Sequence, residues 1–193
     1  MRGLIRESSG EVFEALYRAD PDPWRFASST YEQGRYATLL RALQRDHYEY
    51  AFEPGCSIGE FTALLAPRCA RLLATDVSAT AVGAARKRCR VLPQVEIRQA
   101  DLQVIDAPSA RFDLIVLSEI GYYFAANQLA RIAIGLANQL LPGGEFLAAH
   151  WLGHSTDHLL HGDEVHATLM DCIPLTPWHA ERHTQYRINS WIR

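Results

Sequence analysis

A regular exchange of periodicities constrains this chain more than any other feature. Short apolar runs at 48–52, 71–75, 95–97, 112–117 and 145–150 are interspersed with stretches of helical spacing or composition at 61–65, 79–90 and 128–141. Strands that alternate with helices call for crossover connections, and so for βαβ units around a parallel sheet. The run at 112–117 is almost wholly apolar, as a central strand covered on both faces must be. The expected fold class is therefore α/β, with a doubly wound, mostly parallel sheet. The tail departs from the pattern: after a loop and a short helix near 164–170, residues 184–191 alternate like a half-buried strand. That predicts an antiparallel pair at the C-terminal edge of the sheet. At the other end, Val12, Phe13, Leu16 and Tyr17 keep helical spacing until Asp20-Pro21-Asp22-Pro23-Trp24, where two prolines end the helix.

Charge and cysteine usage remove several function classes. Nineteen basic residues against 22 acidic ones give a net charge of −3, with no long basic block, so neither nucleic acid nor a membrane surface is an expected partner. The longest apolar runs fall far short of the roughly 18 residues of a spanning helix, and residues 1–10 lack the apolar stretch of a signal peptide. A cytoplasmic protein is expected. The four cysteines, Cys56, Cys69, Cys89 and Cys172, form no C-x-x-C pair, so they read as small, reduced, buried residues rather than as a metal or redox site.

The first strand runs into Glu53-Pro54-Gly55-Cys56-Ser57-Ile58-Gly59, with a helix after it. Small residues here let the backbone approach a ligand, and the helix start offers unpaired N–H groups. The spacing E-x-G-x-S-x-G differs from the G-x-G-x-x-G of dinucleotide loops, and an opening acid suits an ammonium group better than a pyrophosphate. Asp76 closes the second strand, where an acid can accept from both hydroxyls of a ribose; it can equally cap the next helix, with Ser78 as a rival cap. Asp101 follows the third strand and can accept from an adenine amino group while Leu102 packs on the ring. Its alternative is a solvated loop acid.

A glycine loop, then acids after two further strands, then Phe112-Asp113-Leu114-Ile115-Val116 and Leu141-Pro142-Gly143-Gly144, is an order that resembles the class I S-adenosylmethionine-dependent methyltransferases. The resemblance covers about 31–151, and departs from the family where Ser57 replaces the usual middle glycine. Asp22-Pro23-Trp24-Arg25, Tyr31-Glu32, Arg35, Glu53-Pro54-Gly55-Cys56 and Glu119-x-x-Tyr122-Tyr123 look more narrowly like the NodS-type enzymes, which N-methylate the amino sugar of nodulation factor precursors. From 150 to 166 the chain resembles a wider bacterial set related to NodS. The resemblance implies one domain over 1–193: an N-terminal lid or arm (1–30), a cofactor-binding core (31–151), and a substrate-side loop with the C-terminal sheet edge (152–193). It also implies S-adenosyl-L-methionine as cofactor, held by Trp24, Tyr31, Arg35, Glu53, Gly55, Cys56, Ser57, Gly59, Asp76, Val77, Asp101, Leu102 and Ser118. Within that set Arg35 would pair with the cofactor carboxylate, and Trp24 would fold over the site.

Methyl transfer needs a lone pair held in line with the methyl group, and an amine must be neutral to attack. The expected catalytic residues are Glu119 and Tyr122, which follow the fourth strand, and His150, which ends the fifth. His150 is read as the general base, with a buried histidine paired to the backbone as its alternative. His154 and His158 could share a metal only if helical, and Gly153, Ser155, Thr156 and Gly162 make that segment poor helix, so no metal is expected. The leading function is N-methylation of a small polar amine such as an amino sugar. O-methylation and a non-catalytic S-adenosylmethionine-binding module are the alternatives. A nicotinamide dehydrogenase is disfavoured by the loop spacing.

Overall fold

A computed structural model describes residues 10–103 and 111–193. Two helices come first, α1 (Gly10–Ala19) and α2 (Thr30–Ala42), and the Asp20 to Pro23 turn separates them as the prolines require. Then follow β1 (Tyr48–Pro54), α3 (Glu60–Leu65), β2 (Cys69–Asp76), α4 (Ala79–Arg88), β3 (Val95–Gln99), β4 (Phe112–Ser118), α5 (Ala126–Asn138), β5 (Leu140–Trp151), α6 (Gly162–Cys172), β6 (Thr176–Arg182) and β7 (Tyr186–Ile192). The strands form one sheet in the order β3-β2-β1-β4-β5-β7-β6. The first five run parallel, and β7 is antiparallel to both neighbours.

The sequence dictates which faces are covered. Along β4, Ile115 and Leu117 point to one face with Phe52, Phe146 and Trp191, under Leu129 and Leu136 of α5 and Val165 and Leu169 of α6. Leu114 and Val116 point to the other face with Ala51, Leu72 and Ile188, under Tyr36 and Leu39 of α2 and Phe61 and Leu65 of α3. Period-two alternation between two apolar layers is why this strand reads as a continuous apolar run.

Two expectations differ in detail. The helix expected over 128–141 stops at Asn138, and β5 starts at Leu140, taking in Pro142-Gly143-Gly144. Gly143 adopts a left-handed φ of 74°, the pairing with β4 shifts register there, and the Gly143 N–H donates to the Arg193 carbonyl at 2.8 Å. A glycine conformation that bulges the strand replaces the turn that would have closed the helix. The C-terminal antiparallel strand is present, second from the rim, with β6 outside it. Pro177 sits in β6, where an edge tolerates a missing donor.

The strand order reverses between β1 and β4: successive strands run outward to β3 on one side and to β5 on the other. Ligands of doubly wound sheets bind beyond the carboxyl ends at that reversal. Among the described residues, no helix is long and apolar enough to cross a membrane.

Candidate functional site

A cavity of about 370 Å³ opens at those carboxyl ends, roofed by the N-terminal arm. Its floor is the glycine loop, tied down by the Gly55 and Cys56 N–H groups, which both donate to the Thr75 carbonyl at 2.7 and 2.9 Å. Gly55 is left-handed at φ 74°, and a Cβ there would lie 2.5 Å from Ile120 Cγ2. Ser57 is left-handed as well (φ 52°), in a conformation that costs a non-glycine residue roughly 1 kcal/mol or more. Its N–H donates to Asp76 Oδ2 at 2.9 Å, and its hydroxyl accepts from Tyr17 at 2.5 Å. The serine thus keeps the backbone path of a glycine and gains a tie to α1.

Asp76 lies at the end of β2 on the cavity wall. Oδ1 accepts the Ser78 N–H at 2.9 Å, the Val77 amide also favours the charged form, and a carboxylate with about four lone-pair sites keeps capacity beyond these amides. Burial pushes its pKa up against the pull of those amides. Helix capping falls to Ser78, whose hydroxyl accepts the Ala81 N–H at 3.1 Å. Val77, Asp101 and Leu102 line the same end, and Asp101 Oδ1 accepts the Gln103 N–H at 2.8 Å.

The roof is aromatic. Phe13, Tyr17, Trp24 and Phe26 reach the cavity; Trp24 stacks on Phe26 at 5.8 Å and meets Tyr17 edge-on at 5.5 Å. Glu14 fastens α1 by accepting from the Ser78 hydroxyl and from the Thr80 hydroxyl and amide, and these bonds pull its pKa down to about 2. Phe13 and Tyr17 are recognisable in the sequence only as the apolar side of a short helix. Their place over the site depends on where that helix docks.

The opposite end is formed by Glu119, Tyr122, Tyr123, Trp151, His154 and His158, with Tyr31 beside them. Glu119 is left-handed at φ 61°. Its Oε1 accepts from Arg35 and from the Trp151 N–H, each at 2.9 Å, and its Oε2 accepts from the Tyr122 hydroxyl at 2.6 Å. Burial pushes the carboxyl pKa up while Arg35 pulls it down.

Several expected site residues stand behind the cavity wall. Arg35 is buried with Nε on Glu32 at 3.0 Å and Nη1 on Glu119, with Ser118 Oγ at 3.3 Å; its guanidinium serves the protein's own carboxylates rather than a cofactor carboxylate. His150 is fully buried: Nε2 accepts the Gly121 N–H at 3.0 Å, and Nδ1 lies 3.3 Å from His166 Nε2. With both nitrogens occupied and burial holding its pKa well below 6.5, His150 is a core histidine and has no path to a substrate proton. Glu53, Cys56 and Gly59 are also off the wall. Gly59 is left-handed at φ 78°, a Cβ there would also lie 3.0 Å from Ala85 Cβ, and burial pushes the Cys56 thiol pKa well up. Glu53 is buried at the root of the loop, and burial pushes its pKa up to about 8 against the pull of the Thr62 hydroxyl. Residues 154–158 are not helical, and among the described residues no three His, Cys, Asp or Glu side chains are arranged to hold a metal ion.

Comparison with known proteins decides the family, since the family model of nodulation protein S (NodS) matches residues 11–155. The chain belongs to the NodS family. Nodulation protein S of Rhizobium tropici is 36% identical over 147 residues, 75% of this chain and 61% of that protein. That of Bradyrhizobium diazoefficiens is 41% identical over 121 residues, 62% of this chain and 57% of that protein. The matched part of the chain thus spans less than two thirds of these NodS relatives. In solved structures, the NodS N-methyltransferase of Bradyrhizobium japonicum WM9 in complex with S-adenosyl-L-homocysteine superposes with a TM-score of 0.82 at 26% identity, covering 94% of this chain and 97% of that one.

Proposed function

We propose that this NodS-family chain is an S-adenosylmethionine-dependent N-methyltransferase acting on a small polar amine of the amino-sugar type. The observation that carries the reading is Asp76: a buried carboxylate on the cavity wall, held by backbone amides and with lone-pair capacity left over, beside a glycine loop. A nucleoside with two adjacent hydroxyls supplies donors to that carboxylate. Asp76 would take the ribose hydroxyls, the loop at 53–59 would face the ammonium end, and Asp101 and Leu102 would meet the adenine. The N-methyltransferase named in the superposed NodS structure supports the same reading.

When bound, the cofactor supplies an electrophilic methyl group on sulfur. The chain's task is then placement and exclusion of water. The aromatic roof of 10–30 covers the site, and the core of 31–151 holds the nucleoside. Glu119, fixed on three sides, accepts an N–H of the incoming amine, and Tyr122 supports it. Segment 152–193 closes the acceptor side, and all three parts act as one domain. Four free cysteines suit a reducing compartment, and we place the protein in the cytoplasm.

Incubation with methyl-labelled S-adenosylmethionine and a panel of amino sugars, other amines and alcohols tests the proposal. Labelled N-methyl product with S-adenosylhomocysteine is the expected result. Transfer only to alcohols would move the activity to oxygen, and binding without turnover on any acceptor would leave a cofactor-binding module.

A further inference from the structure

His158 lies outside the segment matched by the family model, and its ring lies flat on Tyr122 with centroids 3.7 Å apart and planes at 16°. Tyr123 and Trp151 meet the same ring edge-on at 5.2 and 6.1 Å. The chain is wrapped around Tyr122 to achieve this, for the Leu159 and Leu160 N–H groups both donate to the Tyr122 carbonyl, at 2.8 and 3.2 Å. The ring is therefore placed by backbone bonds, on the tyrosine whose hydroxyl holds Glu119.

Both histidines on the cavity wall, His154 and His158, have ring nitrogens that make no hydrogen bond to a described residue, and of the two His158 is the one stacked on Tyr122. His150, His161, His166, His179 and His183 each commit a ring nitrogen to a hydrogen bond. His158 makes no side-chain hydrogen bond to a described residue, and its nearest carboxylate oxygen, Asp157 Oδ1, is 4.0 Å from Nε2. Its side chain is 9% exposed, on the wall of the cavity. His154, the other histidine on this wall, faces His161 at 5.0 Å instead of Tyr122.

We propose that His158 is a catalytic residue, the base that takes the proton from the methyl acceptor's amine. The inference rests on the N-methyltransferase reading. The amine nitrogen forms a bond to the methyl carbon with its lone pair, the carbon–sulfur bond breaks with its electrons left on sulfur, and the N–H proton passes to the His158 imidazole and from there to water. Burial holds the imidazole pKa below 6.5, against Asp157, which raises it, and with His161, which lowers it; Tyr122, Tyr123 and Glu119 are the other titratable groups around it. The ring is thus a free base at neutral pH, and once charged it faces the Tyr122 π-surface and Asp157.

The test uses the full-length chain, S-adenosylhomocysteine calorimetry, and methyl transfer to the fastest amine of the panel above. His158→Phe keeps a ring on Tyr122 without nitrogens, and His158→Gln keeps polarity without a titrating base. Both are expected to lower kcat about 100-fold, to leave S-adenosylhomocysteine affinity within twofold, and to abolish the rise of rate with pH below 6.5. In the S-adenosylhomocysteine complex, the His158 ring C–H resonance should shift when the amine is added. Variants that keep kcat and the pH rise, a change in KM alone, or a silent His158 resonance would overturn the assignment. No turnover by the unmodified chain with any amine would overturn the methyltransferase reading instead.

Discussion

Acid should destabilise this fold through one buried pair. The Gly121 N–H can only donate, so His150 Nε2 is a lone pair and the His150 proton sits on Nδ1, facing His166 Nε2 at 3.3 Å. His166 must then carry its proton on Nδ1, which donates to Asn189 Oδ1 at 2.7 Å. Both rings are neutral, and a proton added to either opposes donor to donor. Burial first, and then the nearby Arg187 charge, holds the His166 pKa down to about 4, against 6.5 for a free histidine. A folded pKa below the unfolded one means that the unfolded chain takes up the proton first. The stability is complete above pH 6.5 and is lost as pH falls from there toward 4. At pH 5 the loss is about 2 kcal/mol relative to pH 8, from 1.36 kcal/mol per unit over the 1.5 units below 6.5. Urea unfolding followed by circular dichroism at pH 8, 6.5 and 5 measures it. Other groups titrate in the same window, so the comparison is with His166→Gln, whose side-chain carbonyl can still accept from His150. That variant should be less stable at pH 8, yet lose about 2 kcal/mol less than the unmodified chain between pH 8 and 5. Parallel pH slopes in the two proteins would mean that the His150–His166 pair does not carry the acid sensitivity.

Replacing His150 by Gln should cost about 1 to 3 kcal/mol of stability through the buried network, while S-adenosylhomocysteine affinity and the shape of the pH–rate profile stay unchanged; urea melts and steady-state rates check both. Gly55→Ala should destabilise by about 1 to 3 kcal/mol, because an L-residue would be forced left-handed against Ile120, and the same melts would show it. Removing 1–28, which spares the Ser29 cap of α2, should leave the circular dichroism of a folded sheet but weaken S-adenosylhomocysteine binding at least tenfold, since Phe13, Tyr17, Trp24 and Phe26 go with it.

The parallel core was legible because burial of a strand on both faces writes itself into every residue of it, as in β4. The glycine loop and Asp76 were legible because a turn at a strand end needs particular residue types at fixed spacing. β6 was not, since an edge strand with Pro177 and mostly exposed side chains carries no alternation. The histidines were legible only as a group. His150 follows a strand that ends at the ligand edge, but its side chain turns to Gly121 and His166, a choice made by α6 and β7 more than fifteen residues away. His158 lies in a loop without periodicity, and only the path of the backbone around Tyr122 brings it to the cavity. Arg35 was read as the partner of a cofactor carboxylate, but sequence could not show that Glu32 and Glu119 would claim it.

Asp76 is proposed to hold S-adenosylmethionine in the cavity at the carboxyl ends of β1 and β2. Isothermal titration of the full chain and of Asp76→Ala with S-adenosylhomocysteine, with NAD as control, tests it most directly. The expected result is binding of S-adenosylhomocysteine but not NAD, and a loss of about 1 to 3 kcal/mol in the variant, roughly 5- to 150-fold in affinity. Binding of NAD instead, or equal affinity in a folded Asp76→Ala protein, would contradict it.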